Sequence, residues 1–382
     1  MDDQDFDEIL KAVRHFIREE VVPAEDVIEE TDEIPESLRQ QAKDMGLFGF
    51  AIPEEYGGLG LSMQQEVALY LELGWTTPAF RSMFGTNNGI AGQVLVKAGT
   101  DAQKKDWLPK LASGEVTASF ALTEPEAGSD PSTLRTTARR DGEDWVINGG
   151  KCYITNAAWS QVLMVFARSN DNPGGRGISV FLVPTDTPGV SVAPHDKKMG
   201  QRGAWTSDIN FEDVRVPATA LIGMDEALGF PTAMRSLQQG RVTIGALCAG
   251  VCQRLVHESA KYAAERHQSG RPIGDFQLVQ GLVADSQTDA YAARATVIQA
   301  AKDWDDDVDR RMAPSVAKYF ASEAVGRVAD RCVQIFGGAG YMHGIVAERF
   351  YRDVRLFRIY EGTSQIQQVV IAKQSLKPYR DA

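Results

Sequence analysis

The spacing of apolar positions along the chain changes twice. From residue 5 to about Gly114 they recur three and four apart, the period of a helix with one buried face: Phe6 to Ile17, a helix begun by Pro35 and ending at Met45, and Met63 to Leu73. The loop IPEEYGGLGLS, Ile52 to Ser62, punctuates them. Its Gly57-Gly58-Leu59-Gly60 run reads as a turn, because no strand precedes it and no lysine follows, as a phosphate loop would need. Between about Glu115 and Gly223 the chain shifts to short β-rich runs split by turn residues. VTASFALT (Val116 to Thr123) is one. WVINGGKCYITN (Trp145 to Asn156) reads as a hairpin around Asn148-Gly149, and VLMVFARS, GISVFLVP and the period-two SDINFEDVRVP follow. After about Phe230 the helical period returns in three long segments, Pro231 to His267, Phe276 to Trp304 and Pro314 to Phe336. They are broken at Ser269-Gly270-Arg271-Pro272 and at Gly337-Gly338-Ala339-Gly340.

This order predicts an α+β multidomain chain: an N-terminal all-α domain over residues 1–115, a central β-sandwich or barrel over 116–225, and a C-terminal antiparallel helical bundle over 226–382. With 382 residues, 43% of them hydrophobic and 24% charged, such a chain can bury substantial cores and is neither disordered nor fibrous. Its net charge of -12 argues against a nucleic-acid partner, since phosphate binding needs clustered Lys and Arg. Cys152, Cys248, Cys252 and Cys332 lack zinc-site spacing and read as buried thiols of a reducing compartment, and the five histidines form no ligand cluster, so no metal is expected. The acidic start MDDQDFDEIL has neither a signal nor a transit composition, and no apolar run reaches membrane-spanning length. A cytoplasmic protein without a membrane partner is the expectation.

Five stretches could carry chemistry. ALTEPEAGSD (Ala121 to Asp130) is a strand running into a Thr/Glu/Pro/Gly/Ser turn, where Gly128 lets backbone N–H groups approach a ligand and Thr123 and Ser129 add hydroxyls. CYITNA (Cys152 to Ala157) sets an aromatic ring beside Thr155 and Asn156, either a wall for a flat heterocycle or a core residue before a polar turn. QIFGGAGYMHGIVAERFYRD (Gln334 to Asp353) stops a long helix at paired glycines, which suits a close pyrophosphate or an ordinary helix–turn–helix. AERHQSGRPIGDFQ (Ala264 to Gln277) places Arg266 and Arg271 at a helix break, as phosphate clamps or solvated charge. Lastly, RIYEGTSQIQQVV puts Glu361 just before a helix start that Thr363 or Ser364 can cap; locally it reads as a solvated pre-helix residue or as a base.

Taken together and in this order, these segments resemble the acyl-CoA dehydrogenase family of flavoproteins along essentially the whole chain. ALTEPEAGSD resembles its first signature, Gln334 onward its second, and RIYEGTSQIQ the segment carrying its catalytic carboxylate. The resemblance implies a four-helix C-terminal bundle and an FAD cofactor. Phe120, Leu122, Thr123, Gly128, Ser129, Tyr153 and Thr155 would border the flavin. Arg266, Gln268, Phe276, Gln277, Gln334, Gly337 and Gly338 would hold its pyrophosphate and adenosine across a subunit interface, with Thr363 and Gln365 finishing the adenosine side. Glu361 would be the catalytic base and Ser129, Arg241, Tyr360 and Gly362 would touch substrate. A shared FAD implies an oligomer, in this family most often a homotetramer built as a dimer of dimers.

The implied reaction is α,β-dehydrogenation of an acyl-CoA to the trans-2-enoyl-CoA, in the manner of fatty-acid β-oxidation, with electrons passed to an electron-transferring flavoprotein. A thioester α-proton is weakly acidic, so its removal needs a nearby carboxylate and hydrogen bonds to the carbonyl, and burial should make Glu361 a stronger base than a free glutamate. Oxidases and two-component flavin monooxygenases share the fold. The monooxygenases need no base at Glu361, so the intact YEGTSQ counts against them. A flavin-binding nucleic-acid or scaffold protein would need a basic stripe, and the last ten residues hold only Lys373, Lys377 and Arg380. Departures from the family pattern at Gln238-Gln239, Ser269 and Gly344 bear on the substrate rather than on the reaction, and Trp205 and the Asn87-Asn88 pair are candidates for shaping the acyl pocket.

Overall fold

The computed structural model describes residues 1 and 3–380. Residues 2, 381 and 382, which the expected outer domains include, lie outside the described residues. Helices α1 (Asp3–Phe16), α2 (Glu25–Thr31), α3 (Glu36–Asp44), α4 (Met63–Leu73), α5 (Pro78–Asn88), α6 (Gly92–Ala98) and α7 (Asp101–Ser113) come first. Local chemistry sets their starts. Ser62-x-x-Gln65 and Thr100-x-x-Gln103 each form a reciprocal capping box, and Pro78 opens α5 where its missing N–H costs nothing. The loop before α4 is a turn, as its glycines suggest.

One seven-stranded sheet follows: β1 (Ala118–Ala121), β2 (Thr137–Asp141), β3 (Asp144–Thr155), β4 (Val162–Arg168), β5 (Ile178–Pro184), β6 (Val190–Val192) and β7 (Thr206–Pro217), in the order β1-β4-β2-β3-β7-β6 with β5 on the other edge of β4. It curls on itself as a half-barrel. Trp145 of β3 meets Phe181 of β5 with ring centroids 5.2 Å apart, although those strands are separated in the sheet order. Period-two alternation sorts β4: Leu163, Val165 and Ala167 face this inner core, whereas Val162, Met164 and Phe166 join Leu95, Leu108 and Leu111 of the helices.

The expected hairpin at Asn148-Gly149 is not formed. Those residues lie inside β3, which pairs continuously with β2 and β7, and the register slips there as a bulge. The extra residue of that bulge is on β7, where Glu212 and Asp213 stand opposite Asn148 and Asp213 takes φ +47°; Gly149 is required instead by its own φ of +143° and by Thr136, 2.7 Å from where its Cβ would fall. The true turn is Gly142-Glu143, between the paired Asp141 and Asp144, with Gly142 at φ +64°.

The bundle is α8 (Gly229–Glu265), α9 (Gln277–Asp305), α10 (Met312–Phe336) and α12 (Ser364–Arg380), with the short α11 (Val346–Val354) between the last two. A two-stranded hairpin, β8 (His267–Gln268) and β9 (Arg271–Pro272), lies at the end of α8. Ala, Val and Cys at helical spacing pack the inner faces of α8, α9 and α10, and Leu69, Phe80 and Phe84 of the N-terminal helices join the same core. A buried polar knot ties the two helical parts together. Glu25 accepts from Arg349 (2.7 Å), Arg254 and Thr76, satisfying a carboxylate that is 2% exposed.

Candidate active site

Between the sheet and the bundle lies an open cleft that, together with the solvent at its mouth, spans about 1180 Å³. The ends of β1 and β3 and the ALTEPEAGSD turn supply Phe120, Leu122, Thr123, Gly128, Ser129, Tyr153 and Thr155. The turn before α12 supplies Tyr360, Glu361 and Gly362, and α8 supplies Arg241. Eleven of the residues singled out in the sequence thus share one cavity, drawn from segments up to 242 positions apart along the chain, the span from Phe120 to Gly362. Sequence reasoning missed Arg81, Ser82, Gly85 and Thr86 on α5, and Met234 and Leu237 on α8, which also line it.

The signature turn is fixed from below. Lys151 and Glu124, both buried, form a 2.6 Å ion pair. Lys151 Nζ also donates to the Leu122 carbonyl, while Glu124 accepts from the backbone N–H groups of Arg135 and Thr136. Burial lowers Lys151 to about 8, with Glu124 opposing the shift. Asn156, at φ +66°, ends β3 by donating to the Ser82 carbonyl and to Thr86, which locks the strand end carrying Tyr153 and Thr155 onto α5.

Glu361 also takes a left-handed backbone, φ +57°, and Gly362 follows at +90°. This twin turn directs the carboxylate against α8. Its Oε2 is buried without a hydrogen-bond partner, and burial raises its pKa while Arg81, Arg241 and Lys318 pull it back. Arg241 is 8% exposed, donates to Ser315 at 3.2 Å and leaves Nε unpartnered, so it is cleft lining rather than helix-surface charge. Orphaned buried polar atoms on both a carboxylate and a guanidinium mark a site whose partners arrive with a ligand.

The remaining expected cofactor residues do not line this cleft. Arg266, Gln268, Gln277, Gln334, Gly337, Gly338 and Gln365 are exposed, Phe276 and Thr363 are half-buried, and no atom lies within 4 Å of a Cβ built at Gly337 or Gly338. Thr363 caps α12, its hydroxyl accepting from Ile366 N–H. Asn87 and Asn88 serve the fold and not the pocket: Asn87 bonds the backbone of Leu111, Val116 and Ala118, and Asn88 that of Leu47, Phe84 and Ala51. Trp205 is likewise elsewhere, stacked on His195 at 4.3 Å and donating to the Asp32 carbonyl. Gln239 is occupied by Lys97 (2.7 Å) and Glu66 (3.2 Å). Among the described residues no group of His, Cys, Asp and Glu could hold a metal, the four thiols are free and buried, and no helix is long and apolar enough to cross a membrane.

The residues present fit a flat, hydrogen-bonding cofactor. Phe120 and Leu122 offer apolar surface, Thr123, Ser129 and Thr155 offer hydroxyls, and Gly128 has no neighbour within 4 Å of a Cβ position, which leaves its backbone open to close approach.

Three family models match the chain: the N-terminal domain of acyl-CoA dehydrogenase over residues 3–115, the middle domain over 119–214 and the C-terminal domain over 227–376. The 3-(aryl)acrylate reductase of Clostridium sporogenes is 38% identical over 97% of this chain and 98% of its own. A solved chain described as electron transferring flavoprotein of Acidaminococcus fermentans has a TM-score of 0.94 at 33% identity, over 99% of this chain and 100% of its own. A glutaryl-CoA dehydrogenase from Mycobacterium smegmatis in complex with FADH2 has a TM-score of 0.92 at 28% identity, over 98% and 95%.

Proposed function

Because the chain belongs to the acyl-CoA dehydrogenase family, oxidoreductases with an FAD-binding fold that act on the CH–CH bonds of acyl-CoA thioesters, we propose that it removes the α-proton of an acyl-CoA with Glu361 and yields the trans-2-enoyl-CoA. FAD, when bound, supplies the acceptor for the β-hydride. The carrying observation is Glu361 itself: a carboxylate with one buried, unpartnered oxygen in a cleft of apolar and hydroxyl groups, its pKa raised by that burial. Raised basicity favours proton abstraction from a weak carbon acid, while Arg81, Arg241 and Lys318 favour the anionic form and oppose the shift. Tyr360 and Gly362 border the reacting carbons. Ser129 and Arg241 contact the substrate, and Phe120, Leu122, Thr123, Gly128, Ser129, Tyr153 and Thr155 hold the flavin end of the cofactor.

The exposed set Arg266, Gln268, Phe276, Gln277, Gln334, Gly337, Gly338, Thr363 and Gln365 is read as the other half of the FAD site, completed by a second copy in a dimer of dimers. Leu278, next to Gln277, and Tyr341 and Met342, within four residues of Gly338, are large apolar side chains left exposed, which supports that reading. Three domains meeting near residues 115 and 225, and an electron-transferring flavoprotein as the acceptor, complete the proposal.

A second reading runs the same bond in the opposite direction, from the enoyl to the saturated thioester, and the 38% identical reductase favours it. The test of both is anaerobic titration of the flavoprotein. Oxidised protein is mixed with saturated straight-chain, branched and aryl acyl-CoAs, and photoreduced protein with the matching enoyl-CoAs, while the flavin spectrum is followed. Bleaching by a saturated thioester supports dehydrogenation. Reoxidation by enoyl-CoAs alone turns the reading to reduction, and silence in both arms rejects the substrate class.

A further inference from the structure

The turn that carries Glu361 is gripped from behind by Lys318 of α10 and Gln367 of α12, side chains that do not themselves line the cleft. Two successive residues at positive φ, one of them not glycine, form an unfavourable backbone that surrounding contacts must hold. Lys318 in the middle of α10 has no exposed surface, and its Nζ donates to the Gly362 carbonyl at 2.8 Å. Gln367, one turn into α12 and also fully buried, donates its amide to the carbonyls of Glu361 (3.2 Å) and Gly362 (3.0 Å). Five residues along α10, Glu323 accepts from the Ser364 hydroxyl at 2.6 Å and pairs with Arg358 at 3.2 Å, which secures the segment on both sides of the turn.

A buried lysine within an apolar helix face is costly and calls for an explanation. A core methionine would fill the same space without desolvating a charge, so the ammonium is retained for what it contacts. That contact is the peptide next to the base.

We propose that Lys318 and Gln367 are positioning residues for the proposed base: they clamp the Glu361-Gly362 peptide in its left-handed form, and the Lys318 charge holds the neighbouring carboxylate in its ionised, proton-accepting state. The proposal rests on the reading of Glu361 as the base. The charged groups that face this carboxylate are Arg81 from α5, Arg241 from α8 and Lys318 from α10, and Tyr360 adjoins it in the turn. Burial lowers Lys318 itself to about 8, with Cys248 and Glu361 opposing the shift and Arg241 adding to it, so Lys318 is charged at neutral pH. Lys318 is one of three cations rather than the sole counter-charge. Its removal therefore raises the pKa of the base further while two cations still oppose the rise.

The test compares wild type, K318M, Q367L and E361Q as FAD-loaded protein labelled with 13C-glutamate. Infrared difference spectra against E361Q isolate the titration of the Glu361 carboxyl, a readout that needs neither turnover nor a known substrate. K318M is expected to retain FAD and to titrate Glu361 about one pH unit higher than wild type, with the acid limb of flavin bleaching displaced equally. An unmoved titration in folded K318M overturns the proposal. Should K318M not yield folded flavoprotein, Q367L decides. It keeps every charge and is expected to bleach at least about tenfold more slowly at full FAD content, and a wild-type rate in Q367L overturns the clamp. Failure of the base reading looks different: E361Q would then bleach as fast as wild type, whatever the two clamp variants do.

Discussion

Gly240 on α8 and Glu361 are packed so closely that a Cβ at position 240 would lie 2.6 Å from Glu361 Oε2. In the interior of a long helix glycine costs about 1 kcal/mol relative to alanine, so its use here is a concession to the carboxylate. The side chain that must yield to a methyl is the flexible end of Glu361, not the backbone. G240A is therefore expected to melt no lower than wild type and yet to bleach its flavin about 10- to 100-fold more slowly, because displacing a base by an ångström breaks the near-attack geometry. Differential scanning calorimetry and stopped-flow absorbance together check this.

Gly338 makes the opposite case. A Cβ there meets nothing within 4 Å in the lone chain, and the residue is not at positive φ. G338V should leave the stability of the cofactor-free protein within about 0.5 kcal/mol of wild type, and should lose FAD on dialysis if this surface approaches the cofactor. Flavin absorbance per chain is the measurement, and full retention of FAD counts against the exposed half-site.

Lys151 is a structural partner of the signature turn. K151M leaves Glu124 buried, still hydrogen-bonded by two backbone N–H groups but without its cation. Breaking a buried pair from one side costs about 3–5 kcal/mol, and the turn bearing Thr123 and Ser129 loosens with it. Urea denaturation should show the loss, accompanied by weaker FAD retention.

Glu66 on α4 gives a pH signature. Burial raises it to about 8, with the Gln239 hydrogen bond and Lys97 opposing the shift. A carboxyl raised in the folded state binds its proton more tightly there than in the unfolded chain, so its contribution to stability is lost as pH rises from about 4.5 to about 8. E66Q, which mimics the protonated acid, should match wild type below about pH 5 and exceed it at pH 9 by on the order of 2–4 kcal/mol. Denaturation midpoints across pH 5 to 9, a range set by that shift, test the sign: parallel curves contradict it.

Much of this molecule is legible in its sequence where signals are local. Met63 to Leu73 is a helix at the expected residues because a capping box starts it and Gly74 follows it, and α8, α9 and α10 begin and end within two residues of their apolar periodicity. The Asn148-Gly149 hairpin failed because an Asn-Gly pair can also lie inside a strand: β2 and β7 pair with β3 on both sides there, the extra residue of the bulge falls on β7, and Thr136 packs where a side chain at position 149 would stand. The cleft was legible only through its motifs. Gly240, Arg81, Lys318 and Gln367 reach Glu361 from four helices, and tertiary placement leaves no local mark. One faint mark existed: in SVAKYFASEAV, Lys318 falls in register with Ala321 and Val325, three and seven residues on, a cation in line with small apolar side chains.

The central claim is that Glu361 takes the α-proton. Its most direct test is rapid anaerobic mixing of E361Q with the acyl-CoA that bleaches wild type fastest, at matched FAD content. A glutamine keeps the shape and cannot accept the proton, so flavin bleaching is expected to fall by about 10²-fold or more, with charge-transfer or binding-induced spectral shifts preserved. Bleaching at the wild-type rate would contradict the account.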